Sequence, residues 1–196
     1  MNKSRNIWKE RYRNYKESYG YLFARIFSYP FTWIFYHTSI SPNSITIISF
    51  IVSIMAAYFI LVDKLIIGGI LVWFGLVLDF SDGEIARLKN LQSKFGAWFD
   101  GITDRISDVI VLGAIVINVY IQNPKFYVLV LCLLAFISTT LWRYFNIIIK
   151  TTFFENSNKK KNMHTIGYDV ATHAFVVAFA TIFNQLFYLV IFFAIV

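Results

Sequence analysis

The chain has 196 residues, of which 58% are hydrophobic and 15% charged, with a mean hydropathy of +0.60. Ordinary globular domains run about 45–50% apolar and about 25% charged, so this composition excludes a disordered chain, a coiled coil and most soluble enzymes, and makes lipid the main solvent. The formal charge of +7 fits basic loops and headgroup contacts better than nucleic acid, and a single cysteine, Cys132, beside three histidines excludes a disulfide framework and any zinc-ligand spacing.

Residues 1–40 read as a unit of their own. Trp8, Tyr12, Tyr15, Tyr19, Leu22 and Ile26 recur at alternating steps of four and three, which lines one helix face, while Lys9, Arg13 and Lys16 lie elsewhere around it. The pattern predicts an amphipathic juxtamembrane helix, lying on the cytoplasmic leaflet or docked on the loops of the bundle, and broken by Pro30.

Residues 41–196 predict an all-α integral membrane domain of six transmembrane helices. A spanning helix needs about 20 mostly apolar residues. The first runs from Ile45 to Leu61, opened by Ser41-Pro42-Asn43-Ser44, where cap residues and a proline favour helix initiation. Others run from Leu65 to Arg87, Phe95 to Tyr120, Phe126 to Ile149, and Tyr168 to Phe183. A sixth, Leu186 to Val196, spans only about 16 Å at 1.5 Å per residue, so it ends inside the bilayer or has lost a tail. Short connections imply antiparallel neighbours, with the second and third spans side by side.

Lysine and arginine set the orientation. A cytoplasmic N-terminus places Lys3 to Lys16, then Arg87, Lys89 and Lys94, then Lys150 and the Lys159-Lys160-Lys161 run on the inner side, leaving only Lys64 and Lys125 outside. Both termini are therefore expected in the cytoplasm, and no signal peptide is expected.

The carboxylates carry the chemistry. Six of the eleven acidic residues, Asp79, Asp82, Glu84, Asp100, Asp104 and Asp108, fall within 30 positions around the end of the second span and the start of the third. An aspartate at a helix centre costs about 2.5–3.5 kcal/mol on insertion scales, so four of them demand compensation. Asp79, Asp82, Gly83 and Ala86 share one helical face, and Gly96, Asp100 and Asp104 share another. Four oxygen ligands without thiolate or imidazole suit Mg²⁺ or Mn²⁺, and the count fits two ions better than one. Gly83, Ala86 and Gly96 leave room for a bulky ligand against the backbone, or for close helix packing. Arg87 offers a planar donor fork for phosphate oxygens.

The string Asp79-Phe-Ser-Asp82-Gly83-Glu-Ile-Ala86-Arg87, followed by Gly96, Asp100 and Asp104, resembles the motif of the CDP-alcohol phosphotransferases, with every fixed position filled at its spacing. The resemblance implies a six-span fold, a homodimer and an active site at the cytoplasmic interface. It implies that Asp79, Asp82 and Asp100 are metal ligands and that Asp104 completes the metal site and deprotonates the acceptor hydroxyl. Gly83, Ala86, Arg87 and Gly96 would contact the CDP moiety, with Asn43 and Thr46 as further candidates at the start of the first span, where helix capping is the plainer reading.

Around the motif, Asp82-Gly-Glu-Ile-Ala-Arg-Leu-Lys89 and Ser93-Lys-Phe-Gly-Ala-Trp-Phe-Asp100 look most like the branch that handles inositol phosphates, including di-inositol-phosphate phosphate synthases. Some of that branch carry a soluble nucleotidyltransferase domain that makes CDP-inositol. None is visible here, so the donor is expected ready-made, as CDP-diacylglycerol, CDP-archaeol or CDP-inositol. Inositol phosphate is the favoured acceptor, with glycerol phosphate or serine as alternatives. Arg143, toward the inner end of the fourth span, is the first candidate for an acceptor-phosphate contact, with Lys150 and the lysine run as alternatives. Arg105 and Asp108, at i and i+3, are expected to pair; Cys132, His173 and Trp142 read as packing residues. Prenyl transfer and divalent-cation transport compete, but the first usually needs two separate aspartate motifs, and the second leaves the glycines and Arg87 unexplained.

Overall fold

The computed structural model describes residues 19–149 and 170–195. Among these residues the protein is entirely helical: α1 (Tyr19–Tyr36), α2 (Pro42–Leu61), α3 (Leu65–Leu88), α4 (Lys94–Gln122), α5 (Phe126–Ile149), α6 (Val170–Ile182) and α7 (Leu186–Ile195). The expected facing residues Trp8 to Tyr15 lie outside the described residues.

Local chemistry sets the boundaries. Ser41 caps α2 by accepting from the Ser44 amide at 3.2 Å, with Pro42 as the first helical residue. Ser93 does the same for α4 through Gly96, at 2.9 Å. Three helices end in left-handed residues that are not glycine: Asp63, Asn90 and Asn184, with φ of 60°, 56° and 55°. At the end of α3, Leu91 N donates to Ala86 O and Asn90 N to Arg87 O, the paired bonds of a Schellman cap, and α2 and α6 end the same way. These caps allow tight reversals. Asn118 and Gln122 of α4 then reach back to Asp63 Oδ1, tying the far end of α4 to the α2–α3 turn.

Pro30 does not break the first helix. It lies inside α1, which continues to Tyr36. An interior proline costs about 3 kcal/mol, and packing on both sides of it offsets this. Ala24, Ser28 and Thr32 form a buried stripe against α3, while Phe27 meets Trp73 and Phe31 meets Phe74 edge-on. The proline itself is exposed. Lys89 then caps the end of α1 by donating to the carbonyls of Phe35, Thr38 and Ile40.

The bundle core joins α2, α4, α5, α6 and α7 through Ile60, Ile115, Val128, Cys132, Val177, Val190 and Phe193. Cys132 packs there, fully buried. The outward faces are also apolar, with Ile66, Ile121 and Phe126 at 62%, 66% and 82% exposure, as a lipid-facing surface requires. Helices α2 and α3 are each long and apolar enough to cross a membrane, and shorter apolar helices accompany them.

One expectation about packing needs correction. Helices α3 and α4 are joined by a short turn but do not form a close-packed pair; α2 packs against both, and α6 covers α3. Acidic faces opposite one another cannot interdigitate as apolar ridges do. The space between them is the site.

Candidate active site

Asp79 and Asp82 project from the C-terminal half of α3, and Asp100 and Asp104 from the N-terminal part of α4. Carboxylate oxygens of Asp79, Asp82 and Asp100 come within 4.8 Å of one another. Asp104, one turn beyond Asp100, lines the same cavity as Asp79. Oxygens around one Mg²⁺ at about 2.0–2.1 Å are at most about 4.2 Å apart, so small side-chain adjustments close this set on a hard divalent cation. The donors are all oxygen, which fits Mg²⁺ or Mn²⁺.

Asp82 is the best buried of the four, at 4% exposure, and accepts from Thr46 Oγ1 at 2.5 Å. The bond crosses from α2 to α3 and fixes one carboxylate oxygen. That leaves the other directed by the remaining geometry of α3.

Two cavities touch the carboxylates. An outer cleft of about 570 Å³ opens at the α3–α4 turn. It is lined by every residue that sequence reasoning assigned to the nucleotide, Asn43, Thr46, Gly83, Ala86, Arg87 and Gly96, together with Asp82 and Asp100. Arg87 is exposed at its rim, and a methyl group on Gly83 would lie 3.4 Å from its guanidinium. A methyl group on Gly96 would meet Ser93 Oγ at 3.0 Å and Asn43 Oδ1 at 3.2 Å, so glycine there keeps the cap and the cleft wall compatible. On the other side, an inner cavity of about 90 Å³ is lined by Asp79, Asp104, Ser49, Ser53, Ser107, Asp108 and His173, among others.

Arg105 and Asp108 pair as expected, at 3.8 Å. Trp142 and His173 do pack, their rings stacked at 6.1 Å, with Phe193 stacked on His173 at 4.8 Å. His173 also walls the inner cavity, which sequence reasoning did not anticipate. The Arg143 side chain, Lys150 and the lysine run lie outside the described residues.

Sequence reasoning also missed Glu84, counted among the acidic residues but given no partner. It is buried at 5% exposure and accepts from Thr32 Oγ1 at 2.5 Å and Ser28 Oγ at 3.4 Å. The spacing of Ala24, Ser28 and Thr32, small residues at i, i+4 and i+8, was the available signal.

Residues 39–196 match the CDP-alcohol phosphatidyltransferase family. One stretch is 38% identical over 79 residues to the archaetidylinositol phosphate synthase of Pyrococcus horikoshii, covering 40% of this chain and 42% of that one. Another is 37% identical over 81 residues to a bifunctional IPC transferase and DIPP synthase of Aquifex aeolicus, covering 40% of this chain and 18% of that one. These matches span less than half the length of those relatives. The fold is similar to that of Mycobacterium tuberculosis phosphatidylinositol phosphate synthase with CDP-DAG bound, at a TM-score of 0.68 and 19% identity, with 87% of each chain covered. With the match reaching from residue 39 to the last residue, across the helices that gather the four aspartates and the cleft beside them, this membrane protein belongs to the CDP-alcohol phosphatidyltransferase family.

Proposed function

We propose that the protein is a CDP-alcohol phosphotransferase that moves a substituted phosphate group from a CDP-activated donor to the hydroxyl of an alcohol, with inositol phosphate the favoured acceptor, releasing CMP. The observation that carries this reading is the convergence of Asp79, Asp82 and Asp100, with Asp104 on the cavity that Asp79 also lines, next to a cleft lined by Asn43, Thr46, Gly83, Ala86, Arg87 and Gly96. The names of the relatives, which include an archaetidylinositol phosphate synthase and phosphatidylinositol phosphate synthases, support the inositol-phosphate acceptor.

Asp79, Asp82 and Asp100 would hold the divalent cations, two by ligand count, with Asp104 completing the set. Bound there, Mg²⁺ or Mn²⁺ would supply charge neutralisation at the donor pyrophosphate. The chain's own groups do the rest. Thr46 holds Asp82 in place, Arg87 binds phosphate oxygens at the rim, and the bare backbone at Gly83 and Gly96 admits the nucleotide. Asp104 takes the proton of the acceptor hydroxyl. That oxygen forms a new bond to the donor's outer phosphorus, the phosphoanhydride bond to CMP breaks, and CMP departs with the electron pair.

In this reading residues 41–196 form six membrane spans, residues 1–40 a cytoplasmic juxtamembrane unit, and both termini and the outer cleft face the cytoplasm. Two copies form the working homodimer, and Arg143 contacts the acceptor's phosphate. The test is CMP release by purified protein with CDP-diacylglycerol, CDP-archaeol or CDP-inositol against inositol phosphate, glycerol phosphate and serine. Release with a CDP-activated donor and inositol phosphate is expected. Metal-dependent ion flux without nucleotide turnover would replace this reading with a transporter.

A further inference from the structure

Lys89 counts toward the basic side of the α3–α4 turn, yet its ammonium is turned onto the protein's own backbone. Nζ donates to three carbonyls, those of Phe35 at 3.0 Å, Thr38 at 2.6 Å and Ile40 at 3.4 Å. An ammonium has three protons, so all of its donors are taken. The side chain is half-buried, and no carboxylate pairs with it among the described residues. It does not line the outer cleft.

The place of those carbonyls in the chain gives the contact its consequence. Residues 37–41 form the elbow between α1 and α2. Pro42, Asn43 and Thr46, at the start of α2, line one wall of the outer cleft, and Gly83, Ala86 and Arg87, at the end of α3, line the other. Lys89 follows Arg87 by two residues, and its own backbone is fixed as the C-cap of α3, its amide donating to Ile85 O at 2.9 Å. One side chain therefore links the end of one wall to the segment that leads into the other. One turn further into α2, Thr46 Oγ1 on Asp82 joins the same two walls. The body of α1 is held separately, by Thr32 Oγ1 on Glu84, so the elbow is the part that depends on Lys89.

We infer that Lys89 is a positioning residue that sets the width of the nucleotide cleft, by holding the 37–41 elbow, and with it Asn43, against the end of α3. The inference rests on the phosphotransferase reading above, which places the CDP moiety in that cleft. Little slack is available at this wall, since a methyl group on Gly96 would already lie 3.2 Å from Asn43 Oδ1. The geometry also specifies lysine. Three carbonyls of one elbow converge on a single nitrogen, which suits a compact ammonium, whereas the planar fork of arginine sends its N–H groups in fixed, divergent directions. A topology or headgroup role would accept either residue, because both count alike there.

The experiment measures the Kd of CMP with Mg²⁺ by titration calorimetry, and KM for CDP-diacylglycerol and inositol 1-phosphate, in full-length wild type, Lys89→Met and Lys89→Arg. A further variant, Lys89→Cys with Cys132→Ser, is alkylated with 2-bromoethylamine, which rebuilds the lysine side chain with a thioether in place of one methylene. Lys89→Met and Lys89→Arg should both raise the Kd of CMP and the donor KM about tenfold and leave the acceptor KM within about twofold. Alkylation should bring the Kd back to the wild-type value. A wild-type Kd in Lys89→Arg would reduce Lys89 to a topology charge and overturn the inference; that variant keeps the charge and decides the matter if Lys89→Met does not fold. An unchanged Kd in both variants would also overturn it while the reaction stands. So would an acceptor KM that rises as far as the donor KM, the mark of a general loosening of the fold. Wild type that binds no CMP would remove the phosphotransferase reading itself, and the inference with it.

Discussion

Thr46 decides how Asp82 is held, because its hydroxyl donates to a carboxylate with almost no solvent contact. A buried hydrogen bond to a charged group is worth about 1.5–3 kcal/mol, so Thr46→Val should lower CMP release by tenfold or more, while Thr46→Ser retains most of it. Steady-state rates of the two variants check this; equal losses would show that the methyl group, and not the hydroxyl, is what matters. At Gly96 a methyl group would press on Ser93 Oγ and Asn43 Oδ1. Gly96→Ala should therefore raise the KM for the CDP donor several-fold with a smaller change in kcat, and an unchanged KM would place the nucleotide elsewhere. The aspartates and glycines were legible in the sequence because helical spacing alone puts Asp79 with Asp82, and Asp100 with Asp104, on shared faces. The Thr46–Asp82 bond was not, since it joins residues 36 positions apart and depends on how α2 leans on α3.

Between elements, polar contacts do more than hydropathy patterns reveal. Helix α1 is fastened to α3 by Thr32 and Ser28 on Glu84 and by Lys89 at its end. Glu84→Ala removes the acceptor of Thr32 Oγ1 and leaves Ser28 Oγ to the carbonyl of Arg25, and should cost about 1–3 kcal/mol, read as a lower midpoint of thermal unfolding in detergent. An unchanged midpoint would mean that α1 does not depend on this contact. A second close approach lies between α3 and α6, where a methyl group on Gly69 would sit 2.5 Å from Ile182 Cγ1 and 2.8 Å from Ala178 O. The second of these atoms is backbone and cannot swing aside. Gly69→Val should destabilise by about 1–3 kcal/mol or more, whereas Gly75→Ala, with its nearest neighbour at 3.3 Å, should be milder. Helix positions followed directly from long apolar runs and cap residues. Pro30 misled because local propensity was weighed without the tertiary contacts of Phe27 and Phe31 on either side of it. The gap between α3 and α4 was equally hidden: a short turn announces neighbours, but only the third helix, α2, shows what keeps them apart.

For the whole molecule, the +7 charge and the apolar exterior describe the same object from two sides. Among the described residues, Arg87, Lys89 and Lys94 flank the α3–α4 turn, and Asp79, Asp82, Asp100 and Asp104 lie along the two helices that it joins. The proposed orientation is open to labelling, since Cys132 is buried and replaceable by serine without touching the site. In vesicles with the native outer face exposed, an impermeant maleimide should label Lys64→Cys and Lys125→Cys directly, and Gln92→Cys only after permeabilisation. The opposite pattern would invert the topology and turn the outer cleft away from cytoplasmic substrates. The account as a whole rests on Asp104 acting beside a metal-binding carboxylate set. The most direct measurement is CMP release from CDP-diacylglycerol and inositol phosphate by wild type and Asp104→Asn, each with Mg²⁺ and with chelator. Turnover only in wild type with Mg²⁺ is the predicted result, with Asp104→Asn folded but inactive. CMP release that persists in Asp104→Asn, or under chelation, would contradict it.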